Sequence, residues 1–161
     1  PWVLAVGVAA ATGAPTVPPA PFSREQARQL AQLEGTYFPG SQVVHGPLAP
    51  GIVFAEGALT IASGAAEGAF TFVSAEGPIT LTLTDTRLAA HFRGVAAWAF
   101  AGDVQVLGGG GSVEGRIGAP AGGVLWLAPH ARLFGGLLGQ WVTVPGAHSV
   151  LTDGTDPENV P

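Results

Sequence analysis

From residue 41 onward the sequence alternates apolar and polar residues with a period of two, and glycine interrupts it every ~8–12 residues. Residues 78–84 (PITLTLT) are the clearest case. Ile79, Leu81 and Leu83 face one way and Thr80, Thr82 and Thr84 the other, which is the pattern of a half-buried strand with a hydroxyl-coated outer side. Residues 57–63, 69–73, 87–93, 95–101, 103–107, 112–117, 123–127, 131–134 and 140–144 continue the series. Gly64, Gly77, Gly94, Gly102, the run from Gly108 to Gly111, Gly122-Gly123 and Gly135-Gly136 supply the breaks. The gaps leave no room for crossover helices. The pattern predicts an all-β domain, an antiparallel sandwich, roll or barrel, preceded by one short N-terminal helix and an extended arm.

The helix is predicted at 23–35. Ser23 and Gln26 have capping-box spacing, Ala27, Leu30, Ala31 and Glu34 share a stripe with Leu33 beside it, and Gly35 supplies the stop. Residues 1–22 form an apolar arm followed by a spacer with Pro15, Pro18, Pro19 and Pro21, which favour an extended path. The arm has the length and Ala9-x-Ala11 ending of a secretory signal core but lacks a charged start. Two readings stay open, an arm packed on a partner and a membrane-proximal or export segment. The β-domain then occupies 36–152, and 153–161 is an acidic tail without an anchor except Val160.

The surface is short of charge. Only 11% of residues are charged, where ~25% is usual, and between residues 36 and 152 there are ten charged side chains. With 47% hydrophobic residues the chain is not disordered. The net charge of −5 and the absence of Lys argue against nucleic acid, and the absence of Cys excludes disulfides and thiol chemistry. Phe, Trp and Leu fall on both sides of several predicted strands. That predicts burial against other protein subunits, with homo-oligomers among the options, through Trp2, Val3, Leu4, Trp98, Phe100, Trp126, Leu137, Leu138 and Trp141.

Signals for chemistry are weak. His45, His91, His130 and His148 lie far apart, so a metal site would need the fold to gather isolated ligands, and no metal or cofactor is predicted. Ser112 fails the nucleophile-elbow pattern, because Gly111-Ser112-Val113-Glu114 ends without the required glycine and sits between strands. The glycine run lacks the Lys of a phosphate loop. Glu56, Glu67, Glu76 and Glu114 stand mostly beside glycines at strand ends, as solubilising charges do.

Three stretches, GAFTFVSAEGPITLTLTDT, FRGVAAWAFAGDVQVLGGGGSVEGRI and AGGVLWLAPHARL, resemble the strand order of a FecR-type periplasmic β-domain over about half the chain. The resemblance implies an envelope β-domain and carries no catalytic motif. Members of that family usually carry a cytoplasmic anti-sigma segment and a membrane span upstream, which residues 1–161 do not include, so the resemblance does not imply signalling. The expected function is a non-enzymatic structural or accessory subunit docking onto a larger, envelope-associated assembly in the periplasm or cell envelope. A FecR-like sensor and a capsid-type decoration protein are the alternatives.

Overall fold

The computed structural model describes residues 20–128, 130–144 and 150–152. Helix α1 (Arg24–Glu34) precedes β1 (Thr36–Phe38), β2 (Gln42–Val44), β3 (Gly51–Ala55), β4 (Leu59–Ile61), β5 (Gly68–Ser74) and β6 (Ile79–Thr84). These lead into β7 (Arg87–Ala90), β8 (Val95–Ala99), β9 (Val104–Gly109), β10 (Ser112–Leu127), β11 (Arg132–Thr143) and β12 (Val150–Thr152).

The strands fall close to where the alternation puts them, but every ladder between them is parallel. The chain winds into a β-solenoid of about five turns, which corrects the antiparallel sandwich, roll or barrel. Each segment pairs with the equivalent segment one coil later, so that β1 pairs with β3 and β4 with β6, while the long β10 and β11 each run through all three walls and pair directly. Gln42 meets Leu59, 17 residues on, and Ile79 meets Val104, 25 residues on.

The registers divide each coil into three walls. The first holds the start of β5, β7, the starts of β10 and β11, and β12. The second holds β1, β3, the end of β5, β8 and the middle of β10 and β11. The third holds β2, β4, β6, β9 and the ends of β10 and β11.

Inside, equivalent positions stack in columns. Val53, Phe72, Ala97, Ile117 and Leu137 line up on the second wall, and Leu59, Ile79, Val104 and Val124 on the third. Leu88, Val113 and Leu133 close the first. One corner between the second and third walls is a glycine stack, Gly57, Gly77, Gly102 and Gly122. A Cβ on Gly102 would stand 2.6 Å from the carbonyl carbon of Gly77, and one on Gly77 would stand 2.7 Å from the Ala58 nitrogen. The rungs approach so closely there that only glycine fits.

In the fourth coil the register jumps, because residues 91–94 loop out between β7 and β8. Arg93 and Gly94 both have positive φ, as the two central residues of a tight hairpin turn require. The buried Thr71 hydroxyl stitches this loop down, accepting from the Phe92 N–H at 2.8 Å and donating to the Val95 carbonyl at 2.7 Å.

The second wall is apolar on its outer side too, with Ile52, Phe54, Val73, Trp98 and Leu138 buried. Helix α1 covers it, laying Ala27 and Ala31 against the strands, while Phe22 packs on Trp98, Phe92 and Phe100. The Ser23 side chain accepts from the Gln26 N–H, as the capping-box spacing predicts. Gly35 ends the helix for a different reason from the left-handed stop expected. Its φ is −122°, and a Cβ there would run into the Ile52 carbonyl.

Two arginines clamp the helix to one corner. Arg24 and Arg28 are one helical turn apart, and they meet Glu76 and Glu56 on successive rungs. The helical pitch of ~5.4 Å nearly matches the rung spacing of ~4.8 Å, so both pairs form together. Arg28 holds Glu56 through Nε at 2.6 Å and Nη2 at 2.9 Å, and the Tyr37 hydroxyl donates to the same carboxylate at 2.6 Å. Arg28 also pairs with Glu25.

The hydrogen bonds from Arg28, and then that from Tyr37, hold the Glu56 carboxyl below its usual range despite some desolvation. The folded protein therefore binds that proton less readily than the unfolded chain, and the stabilisation is present above the ordinary Glu range near pH ~4.3. It fades as pH falls through the depressed value. Glu56→Gln is expected to cost about 1 kcal/mol at pH 7 in urea unfolding, since the site is partly solvated. The cost should vanish in acid, and a pH-independent difference would assign the loss to packing instead.

Candidate functional site

The three walls meet three different fates on their outer sides. The second is covered by the chain's own helix. The first carries a polar groove, and the third is bare and uncharged.

The groove opens on the first wall, with a volume of about 490 Å³, lined by Asp85, Arg87, Ser112, Glu114, His130, Arg132 and Phe134 among others. The register explains why these residues meet. Arg87, Ser112 and Arg132 occupy one column on three successive rungs, and Ala89, Glu114 and Phe134 occupy the column two residues further along. The corner residues Asp85, Gly110 and His130 precede these rungs at equivalent positions, each with positive φ. A second depression of about 240 Å³ shares Arg87, Ser112 and Glu114 and extends the groove to Gly68 and Ala89.

Of the chain's six arginines, four are engaged. Arg24 and Arg28 pair with carboxylates, Arg93 donates to the Pro21 carbonyl and Arg116 to the Arg93 carbonyl. Arg87 and Arg132 remain, and among the described residues their side chains make no hydrogen bond or ion pair. Both lie in this groove. The Glu114 and Asp85 carboxylates there are likewise unpaired among the described residues.

The groove brings together Ser112, His130, Asp85 and Glu114, which their sequence positions do not suggest. The Ser112 Oγ takes no hydrogen bond among the described residues, so the contact between nucleophile and base that defines a triad is not made. His45 and His91 are exposed elsewhere, and His148 lies outside the described residues. Among the described residues, no three His, Asp or Glu side chains are placed so that they could hold one metal ion.

On the third wall the outward column is Val43, Thr60, Thr80, Gln105, Leu125 and Thr143, with Thr82, Leu107 and Leu127 beside it. None of the strand residues of this wall is charged. The shortage of charge in the sequence is thus concentrated on one side of the molecule. Val43 and Leu127 stand exposed there, and the Trp141 ring, 42% exposed, lies over Gly123 at the margin.

The residues singled out for an interface separate accordingly. Trp126 and Leu137 are buried inside the coil, with the Trp126 indole N–H donating to the Ala128 carbonyl at 3.2 Å. Trp98 and Leu138 are buried beneath α1 and its lead-in, and the Trp98 Nε1 has no hydrogen-bond partner there. Phe100 is partly buried against Phe22, under the Arg24 guanidinium. Among the described residues of this set, only Trp141 is exposed. Trp2, Val3 and Leu4 lie outside the described residues, as does the acidic tail. The groove residues Arg87, Arg132, Asp85 and Phe134 were missed by the sequence reading. Aligning the coils on the repeated Gly-x-aliphatic-x-aliphatic unit, as in GALTI, GPITL and GDVQV, is the signal that finds them.

No helix among the described residues is long and apolar enough to cross a membrane. No family model matches the chain, and neither a curated protein nor a solved structure matches it. The FecR-type resemblance therefore rests on the three quoted stretches alone.

Proposed function

We propose that the protein is a non-enzymatic structural subunit that docks through its third wall onto an uncharged protein surface, in the simplest case a second copy of itself. One observation carries this reading: the charge missing from the sequence is missing from this wall, which no other part of the described chain packs over as α1 packs over the second. Removing charge lowers the desolvation cost of a contact, and the exposed Val43, Leu127 and Trp141 give it apolar area. The apolar, signal-like run at residues 2–11 supports an envelope-associated setting.

The wall measures about 400 Å², from five rung spacings of ~4.8 Å and about five residues of ~3.3 Å across. That is about half of what each partner in a stable complex buries. The contact is accordingly expected to be reversible in the micromolar range. Sedimentation velocity over a micromolar concentration series should show self-association. Leu125→Glu, which places a charge on the fifth of the six rungs beside the exposed Leu127, should abolish it without lowering Tm by more than a few degrees. A monomer at every concentration overturns the reading.

A further inference from the structure

We infer that the groove on the first wall is a binding site for an acidic saccharide. The inference is independent of the docking reading, because it concerns a different wall and different residues.

Cations placed for no internal purpose are the first argument. In a chain with only six basic residues, the two that no described residue satisfies stand two rungs apart in one column, on either side of the Ser112 hydroxyl. Their backbones are ~10 Å apart, so the two flexible side chains can converge on one oxyanion above Ser112 or hold two acidic groups along an extended ligand. Guanidinium is suited to either, because its paired N–H groups match the geometry of a carboxylate or sulfate.

The rest of the lining argues for a saccharide over a bare anion. Glu114 and Asp85 stand in the same groove, where they would repel a small polyanion. Their oxygens are acceptors, and the hydroxyls of a sugar are the donors that suit them. Phe134 is 39% exposed and presents a ring next to Arg132, a surface for the C–H face of a pyranose. The shape agrees as well. The two depressions together run across three rung spacings, from Gly68 through Ala89 and Glu114 to Phe134, or roughly 14 Å. An open trough of that form takes an extended chain and does not enclose a compact molecule.

The test is a titration of the full chain, labelled with nitrogen-15, with tetragalacturonate, followed by amide shifts. Saturable shifts confined to residues 85–89, 110–115 and 130–134 are expected, weakened at least tenfold in Arg87→Gln/Arg132→Gln. Both arginines are exposed and unpaired, so that variant should keep the wild-type Tm; Phe134→Ala, with both arginines intact, should weaken binding about threefold. Three control probes fix the ligand class: maltotetraose, inorganic phosphate and a tetraglutamate peptide, each expected to bind at least tenfold more weakly. Equal binding of phosphate would reduce the groove to an oxyanion site, and equal binding of the peptide would make the partner an acidic protein segment; either overturns the saccharide inference. Absence of shifts with tetragalacturonate overturns it outright.

Discussion

Gly102→Ala should unfold or nearly unfold the protein, with a cost of about 3 kcal/mol or more. The new methyl group would stand 2.6 Å from the Gly77 carbonyl carbon and 2.7 Å from both its oxygen and the Pro78 nitrogen. All three are backbone atoms of the rung beneath, and a rung cannot retreat without breaking its ladder to β9, where Ile79 pairs with Val104. A flexible side chain would yield at small cost; this stack cannot. Gly46→Ala is the matched control, because nothing lies within 4 Å of a Cβ there. It is expected to change stability by no more than about 0.5 kcal/mol. Urea unfolding of both variants measures the contrast, and equal midpoints would show that the rungs do not close on one another at that corner.

The second large effect is expected at the helix. Ala31→Asp places a carboxylate at a position 1% exposed, against the outer side of the second wall. A buried charge without a partner costs about 3–5 kcal/mol, more than a single helix is expected to return by packing, so α1 should lift away. The coil beneath has its own interior and should keep its strand signal in circular dichroism. Ile52, Phe54, Val73, Trp98 and Leu138 would then face water, and the protein should bind a hydrophobic dye and aggregate as it is heated. Unchanged dye binding with an unchanged melting curve would show that α1 contributes little as a cover.

This second case bears on how the docking surfaces were first placed. Trp98 and Leu138 sit on strands with apolar residues on both sides, and such strands must be covered by something. Composition cannot distinguish a foreign partner from the chain's own helix. Ala27 and Ala31 are small, and the hydrophobic stripe they make is weak on paper, yet small side chains let the helix approach the wall closely enough to bury Phe54 and Trp98. Leu33, the largest apolar residue beside that stripe, is left 83% exposed.

The groove illustrates the opposite limit. Arg87, Ser112 and Arg132 are separated by 25 and 20 residues and share no motif. They become neighbours only because coils of unequal length are brought into register, and the five-residue difference is taken up by the loop at 91–94 and the bulged Ala96.

What the sequence determined alone was sidedness. Ile79, Leu81 and Leu83 point inward and Thr80 and Thr82 outward, as the alternation requires, because a strand turns its side chains over at every residue whatever its neighbours do. The helix start at Ser23 is local in the same sense. Pairing direction is not local, since half-buried strands show the same alternation in parallel and antiparallel ladders. It was decided by the distance the chain travels before meeting itself, a full coil that brings each segment back in the same direction. That closure, a property of whole coils, also chose which outer wall was covered, which was left without charge, and where two arginines would meet.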